Sequence, residues 1–147
     1  HVLQNPSSPK GLQEMKEQIE EAEKNIQKYL HPYNSYNFQI QMARANFHKY
    51  SASLDTSTEM NDEELERRIK NLEDLMSSLK AVAGFCLLIY PKYHPQRAHI
   101  LLDMGNVSSV LDRPQEGKKY ISQGLDILRI CRGSAIAKDQ LRQLFSV

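Results

Sequence analysis

Residues 98–124 read AHILLDMGNVSSVLDRPQEGKKYISQG, and the spacing of the glycines in this stretch indicates how it folds. Gly105 is followed twelve residues later by Gly117, and Gly124 lies seven residues further on. Pro114 separates the first of these glycines from the other two, and the residue before a proline avoids the helical conformation. Glycines so placed let two antiparallel helices cross closely, so the stretch predicts a helical hairpin.

The rest of the chain is predicted to be helical as well. All six prolines lie in the first ten residues or between predicted helices, and apolar residues recur at alternating steps of three and four, which is typical of amphipathic helices. We predict an all-α fold, an antiparallel array of about six helices that is tetratricopeptide-like in its second half. Residues 1–10 are expected to be a flexible segment, and residues 11–147 a single helical domain. The predicted helices end near residues 29, 54, 90, 111, 131 and 144.

Local signals predict how the third helix begins and ends. Asn61 and Glu64 match a capping box, in which each side chain accepts a hydrogen bond from the backbone of the other residue. The last three turns before Tyr90 are apolar on every side, which indicates that they are buried in the centre of the domain. Gly84 within these turns costs about 1 kcal/mol relative to alanine, so we expect another helix to approach closely there. Residues 51–58, rich in Ser and Thr, are expected to form the loop before this helix.

Residues that could carry chemistry are few, and each has a structural explanation. Cys86 and Cys131 are far apart and form no C-x-x-C pair. We interpret both as reduced core thiols, which favours a cytoplasmic or nuclear protein. His94 precedes a proline and is expected to cap a helix, and its spacing of five residues from His99 is poor for a shared metal. His48 is expected to be packed or half-exposed. The sequence therefore predicts no catalytic, cofactor-binding or metal-binding residue in this chain.

Charge and hydropathy narrow the class of partner. Residues 1–90 carry ten Lys and Arg against thirteen Asp and Glu, whereas residues 91–147 carry nine against five. A nucleic-acid-binding domain is usually more basic and has aromatic residues among its basic ones, so nucleic acid is not the expected partner. The longest apolar run, from Ala81 to Tyr90, is about half the ~20 residues that span a bilayer, so no membrane contact is expected. The expected partner is a protein or a peptide.

Several runs of the sequence resemble the C-terminal helical domain of the SET-and-MYND lysine methyltransferase family. They are Leu30-His31-Pro32 before a long helix, Tyr90-Pro91-Lys92-Tyr93-His94-Pro95, Leu101-Leu102-Asp103-Met104-Gly105, Gly117, and Tyr120 through Ile127-Leu128-Arg129-Ile130-Cys131-Arg132-Gly133. The resemblance extends over residues 12–144.

The resemblance implies a domain that is not itself catalytic. Such a domain walls one side of the substrate cleft and makes protein contacts, including contacts with a chaperone or with a histone or non-histone substrate. The complete enzyme would use S-adenosylmethionine and zinc. This chain lacks both the clustered zinc-binding cysteines of the MYND module and the Asn-His-Ser-Cys core of the SET module, so we expect it to bind neither cofactor.

Two other functions fit parts of the sequence. An independent tetratricopeptide adaptor could bind a partner peptide such as a chaperone tail; Asn106 suits such a carboxylate clamp, but Leu102 stands where a lysine is expected. A helical oligomerisation element is the other alternative, because the apolar stripe from Leu12 to Tyr29 is long enough for a short coiled coil.

A candidate protein-binding surface follows from the predicted fold. In stacked helical pairs the first helix of each pair lines the concave face. Around a seam of Ala98, Leu101 and Gly105 that packs on the fifth helix, six residues of the fourth helix are predicted to contact a partner, unless the second or third helix covers them. They are His99, Leu102, Asp103, Asn106, Ser109 and Val110.

Overall fold

The computed structural model describes residues 9–29, 35–54 and 61–144. Within these ranges the chain forms six α-helices and no strand, which confirms the predicted all-α helical array. The run Leu30-His31-Pro32 lies outside the described residues. The helices are α1 (Pro9–Tyr29), α2 (Ser35–Leu54), α3 (Asp62–Ile89), α4 (Pro95–Val110), α5 (Pro114–Arg132) and α6 (Ser134–Leu144).

The chain divides within α3 into two compact units, His1–Ser78 and Leu79–Val147. The prediction of a flexible segment over residues 1–10 stays a prediction, because residues 1–8 lie outside the described ranges. Pro9 and Lys10 already belong to α1. That residues 11–147 behave as a single domain likewise stays a prediction.

In the first unit, α1 and α2 pack along each other. The carboxylate of Glu23 and the guanidinium of Arg44 form an ion pair between the two helices. Asn71 of α3 donates a hydrogen bond from Nδ2 to Oγ of Ser51 at 3.2 Å. The buried apolar residues of this unit are Leu12, Ile19, Ile40, Ala45, Leu72, Leu75 and Met76.

The start of α3 is the predicted capping box. The backbone N–H of Asn61 donates to Oε2 of Glu64 at 3.1 Å, and the N–H of Glu64 donates to Oδ1 of Asn61 at 2.9 Å. These bonds satisfy two backbone donors that a helix start leaves without partners. The expected loop over residues 51–58 is wrong in its first part, because Ser51–Leu54 are the last turn of α2; residues 55–58 lie outside the described ranges.

The burial of the last turns of α3 differs from the sequence-based prediction. Val82, Phe85 and Cys86 are buried, but Leu87, Leu88 and Ile89 are 63%, 66% and 52% exposed. The predicted burial on every side is therefore wrong. The helix packs along one face, and the apolar residues on its other faces have no cover among the described residues.

Gly84 lies on an exposed face of the same helix. A β-carbon built there would meet no atom within 4 Å in the described part of the chain. The expectation that another helix approaches closely at Gly84 is therefore wrong.

The second unit is centred on α4 and α5, with α6 packed against α5. Residues near the start of α4 lie beside the later turns of α5, so the two helices run antiparallel. The core of this unit combines residues of α4, α5 and α6, namely Ala98, Leu102, Ile127, Leu128 and Ala137.

Candidate protein-binding site

The antiparallel crossing of α4 and α5 depends on three glycines. A β-carbon at Gly105 would lie 2.5 Å from Cγ1 of Ile121 and 3.2 Å from the carbonyl oxygen of Gly117. A β-carbon at Gly124 would lie 3.0 Å from the carbonyl oxygen of Ala98. Backbone contacts of 3.0 and 3.2 Å are tighter than nine in ten real β-carbon contacts, so a side chain at either glycine would require the neighbouring helix to shift. The close crossing predicted from the glycine spacing is therefore confirmed.

Ser109 belongs to this crossing. Its Oγ donates a hydrogen bond to the carbonyl oxygen of Gly105 at 3.0 Å. A β-carbon at Gly117 would lie 2.9 Å from the same Oγ. The hydroxyl of Ser109 is thus turned back onto its own helix and faces α5.

The start of α4 is fixed by His94. Its Nδ1 accepts a hydrogen bond from the backbone N–H of Gln96 at 3.1 Å, so the predicted cap is confirmed. The imidazole also stacks on the ring of Tyr90, with 4.2 Å between the centroids and 11° between the planes. The turn between α3 and α4 is therefore held by a hydrogen bond at one end and by ring stacking at the other.

The six predicted contact residues separate into two stripes along α4. Leu102 is only 4% exposed, and its Cδ2 would lie 3.0 Å from a β-carbon at Gly124, so it belongs to the core. Ser109, two turns further on, is exposed, but its Oγ is turned toward α5. The other four share a second stripe, in which two residues are half-buried and two are exposed: His99, Asp103, Asn106 and Val110.

The predicted α5-facing seam of α4 is wrong by one residue, at Leu101. The observed seam is Ala98, Leu102, Gly105 and Ser109, which follows steps of four, three and four. The buried Ala98 and Gly105 were predicted correctly, and the helical period through them leads to Leu102. Leu101 is instead partly buried at the edge of the core.

A pocket in the second unit was not predicted from the sequence. Its volume is about 220 Å³, and it is lined by residues of α3, α4 and α5. It was missed because the end of α3 was predicted to be covered on every side. The lining residues are Ala83, Cys86, Leu87, Arg97, Ile100, Leu101 and Gln123.

A polar cluster joins α3 to α5 in the same unit. Nζ of Lys80 lies 3.4 Å from Oε1 of Glu116, and the hydroxyl of Tyr120 donates to that oxygen at 3.1 Å. The hydrogen bond from Tyr120 and the contact with Lys80 hold the pKa of Glu116 below its ordinary value, although partial burial acts in the opposite direction. Burial and the neighbouring carboxylate raise the pKa of Tyr120. The cluster stabilises the ionised form of Glu116 and the protonated form of Tyr120, which suits a structural link between α3 and α5.

The two cysteines occupy different environments. Cys86 is buried, and burial raises the pKa of its thiol although the nearby Arg97 lowers it in part. Cys131 is exposed, so the prediction that both are core thiols is wrong for Cys131. Ile130 beside it is also more than half exposed.

Over residues 9–29, 35–54 and 61–144 there is no group of three or more His, Cys, Asp or Glu side chains that could hold a metal ion. None of the helices in these ranges is both long and apolar enough to cross a membrane. No known protein family, curated protein or solved structure matches this chain.

Proposed function

We propose that this chain is the non-catalytic C-terminal helical domain of a SET-and-MYND protein-lysine methyltransferase. The observation that supports the proposal is the glycine crossing of α4 and α5, preceded by the turn that Tyr90 and His94 stabilise. Much of the resemblance to that family lies in this turn and this hairpin.

In the proposed role the domain walls one side of the substrate cleft and makes protein contacts. The complete enzyme would supply the S-adenosylmethionine and zinc sites from its other modules, and would act in the cytoplasm or nucleus. The partners would be a chaperone, or histone and non-histone proteins whose lysines are methylated.

The surface proposed for these contacts is the second stripe of α4, which runs through His99, Asp103, Asn106 and Val110. It combines an imidazole, a carboxylate, an amide and an apolar side chain, which suits contact with an extended peptide better than a purely apolar or purely charged face would. Leu102 is left out because it is buried against α5, and Ser109 because its hydroxyl, although exposed, bonds to its own helix and is turned toward α5.

The amino acids encoded before His1 test the proposal. We expect a cluster of zinc-binding cysteines and a SET core with an Asn-His-Ser-Cys run in the same reading frame. A reading frame that begins close to His1, or that encodes an unrelated module upstream, would contradict it.

An independent tetratricopeptide adaptor is the alternative, and the exposure of Asn106 favours it. A carboxylate clamp would need a cation at position 102, whereas Leu102 is buried in the helix crossing. The oligomerisation alternative is weakened, because Leu12 and Ile19 of the α1 stripe are already buried within the chain.

A further inference from the structure

We propose that the pocket lined by α3, α4 and α5 binds an internal segment of a partner protein that carries a large apolar side chain with acidic side chains close to it. The inference rests on the proposed function in one respect, namely that this domain contacts proteins. It adds a site separate from the α4 stripe, and it specifies the chemistry of the partner.

The size of the pocket favours a side chain over a small-molecule ligand. Its volume is about 220 Å³, below the roughly 300–1,000 Å³ of most cofactor and small-molecule sites. Protein partners commonly anchor themselves by inserting one aromatic or aliphatic side chain into such a depression. Ala83, Ile100 and Leu101 give the pocket an apolar wall that suits such an anchor.

Charge at the pocket favours an acidic neighbour for that anchor. In the described part of the chain the guanidinium of Arg97 makes no hydrogen bond or ion pair, although it lies at the pocket wall. It is also the charged group that acts on the thiol of Cys86 inside the pocket. A guanidinium beside an apolar site binds carboxylates well, because its fork of donors matches their two oxygens.

The surface around the pocket is apolar as well, and the unit that contains it is basic. Leu87, at its wall, is 63% exposed, and Leu88 beside it is 66% exposed, so apolar surface continues beyond the opening. Residues 79–147 carry ten Lys and Arg against five Asp and Glu. A surplus of positive charge across the whole unit attracts a segment with several carboxylates more than a single chain terminus. We therefore assign the pocket to an internal acidic segment.

Selection from a random-peptide library displayed on phage, with the 147-residue chain as bait, tests this assignment. The selected peptides are expected to share a large apolar residue with Asp or Glu within one helical turn of it. The best peptide is then synthesised with both ends blocked, so that no terminal carboxylate contributes, and its affinity for the chain is measured by calorimetry.

Two pairs of variants locate the site. Arg97→Glu is expected to weaken binding at least tenfold, equal to about 1.4 kcal/mol, whereas Lys118→Glu makes the same charge change at an exposed position of α5 and should have a much smaller effect. Ala83→Leu fills the pocket and is expected to weaken binding to a similar extent, whereas Ala135→Leu on the exposed face of α6 should not. Circular dichroism establishes that each variant is folded.

Methyl resonances of Leu87, Ile100 and Leu101 are expected to shift when the blocked peptide is added. The inference is overturned if selection enriches no acidic apolar sequence, if Arg97→Glu and Lys118→Glu weaken binding equally, or if the shifted methyl groups lie elsewhere. These results concern the isolated chain and do not depend on what is encoded before His1. The pocket assignment and the family proposal can therefore fail separately.

Discussion

A β-carbon at position 124 would lie 3.0 Å from the carbonyl oxygen of Ala98, whereas one at position 84 would meet no described atom within 4 Å. These two glycines, both inside helices of the second unit, therefore differ in whether the packing requires a glycine. At Gly124 the missing side chain permits the crossing of two helices. At Gly84 no neighbour requires glycine, and the helix loses the greater stability that alanine would give it.

Leucine substitutions at these two glycines are expected to differ in their effect on stability. Gly124→Leu should lower the free energy of unfolding by about 1–3 kcal/mol or more, because the α4 backbone cannot yield to the new side chain. Gly84→Leu should leave it unchanged or raise it by up to about 1 kcal/mol, because leucine favours a helix more than glycine does. Chemical denaturation compares the two, and equal effects would contradict the role of Gly124.

Adjacent serines of α4 provide a second matched pair. Ser108 is fully buried, and its Oγ has no hydrogen-bond partner among the described residues, whereas Oγ of Ser109 donates to Gly105. We expect Ser108→Ala to be neutral or to stabilise the chain by up to about 1 kcal/mol, and Ser109→Ala to cost about 0.5–1.5 kcal/mol. Urea unfolding measures both values. A larger loss for Ser108→Ala than for Ser109→Ala would show that the buried hydroxyl has a partner.

His48 makes the stability of the first unit depend on pH. Its Nδ1 is buried without a partner among the described residues. Burial lowers its pKa below 6.5, and Arg44 and Lys16 lower it further, while Asp74 acts in the opposite direction. The unfolded chain therefore binds a proton at a higher pH than the folded chain does, so the free energy of unfolding should fall as the pH drops below about 6.5.

Removing the titrating group should flatten this dependence. Unfolding of His48→Gln, measured between about pH 5 and pH 8, is expected to show a smaller slope than the unaltered chain. Asp74→Asn removes the carboxylate that favours the charged imidazole and should extend the loss of stability to lower pH. An unchanged slope in His48→Gln would mean that the pH dependence arises from other groups.

Among the single helices, α4 has an N-terminal cap, His94, that substitution can test directly. His94→Ala removes both the hydrogen bond to the backbone N–H of Gln96 and the stacking on Tyr90. His94→Asn also removes the stacking but keeps a side-chain acceptor that is well suited to a helix start. The alanine variant should be less stable than the asparagine variant by about 0.5–2 kcal/mol in thermal or chemical unfolding. Equal stabilities would mean that the cap contributes nothing.

Element boundaries were predictable where they depend on local chemistry. Prolines and the Asn61–Glu64 capping box act through the nearest backbone groups, so the starts of α3, α4 and α5 could be read from the sequence. The position of the end of α3 was also predicted, but the exposure of its last turns was not, because an all-round apolar run is equally compatible with burial and with a surface that a partner covers. The exposure of Leu87 depends on which helices lie beside it, and no pattern within α3 encodes that.

The candidate site was partly predictable for the same reason. The glycine spacing predicted the crossing correctly, because two helices can approach this closely only where the residues between them are small. The stripe through Asn106 followed from helical periodicity, but its assignment at Leu102 failed by one position. The pocket beside Arg97 required three helices to be placed together, which no single helix pattern specifies.

Taken together, the described residues form two helical units, and they contain no group of three or more His, Cys, Asp or Glu side chains that could hold a metal ion. The proposed role for them is that of a contact module that completes a larger enzyme. The basic second unit contains the glycine crossing, the exposed stripe of α4 and the proposed peptide pocket, so we expect most partner contacts there.

Calorimetric titration of S-adenosylmethionine tests whether this chain is the non-catalytic part of a methyltransferase. The product of the complete reading frame is predicted to bind this cofactor stoichiometrically, and the 147-residue chain alone is predicted to give no heat of binding. The claim would be contradicted if the complete product does not bind S-adenosylmethionine, or if the isolated chain does.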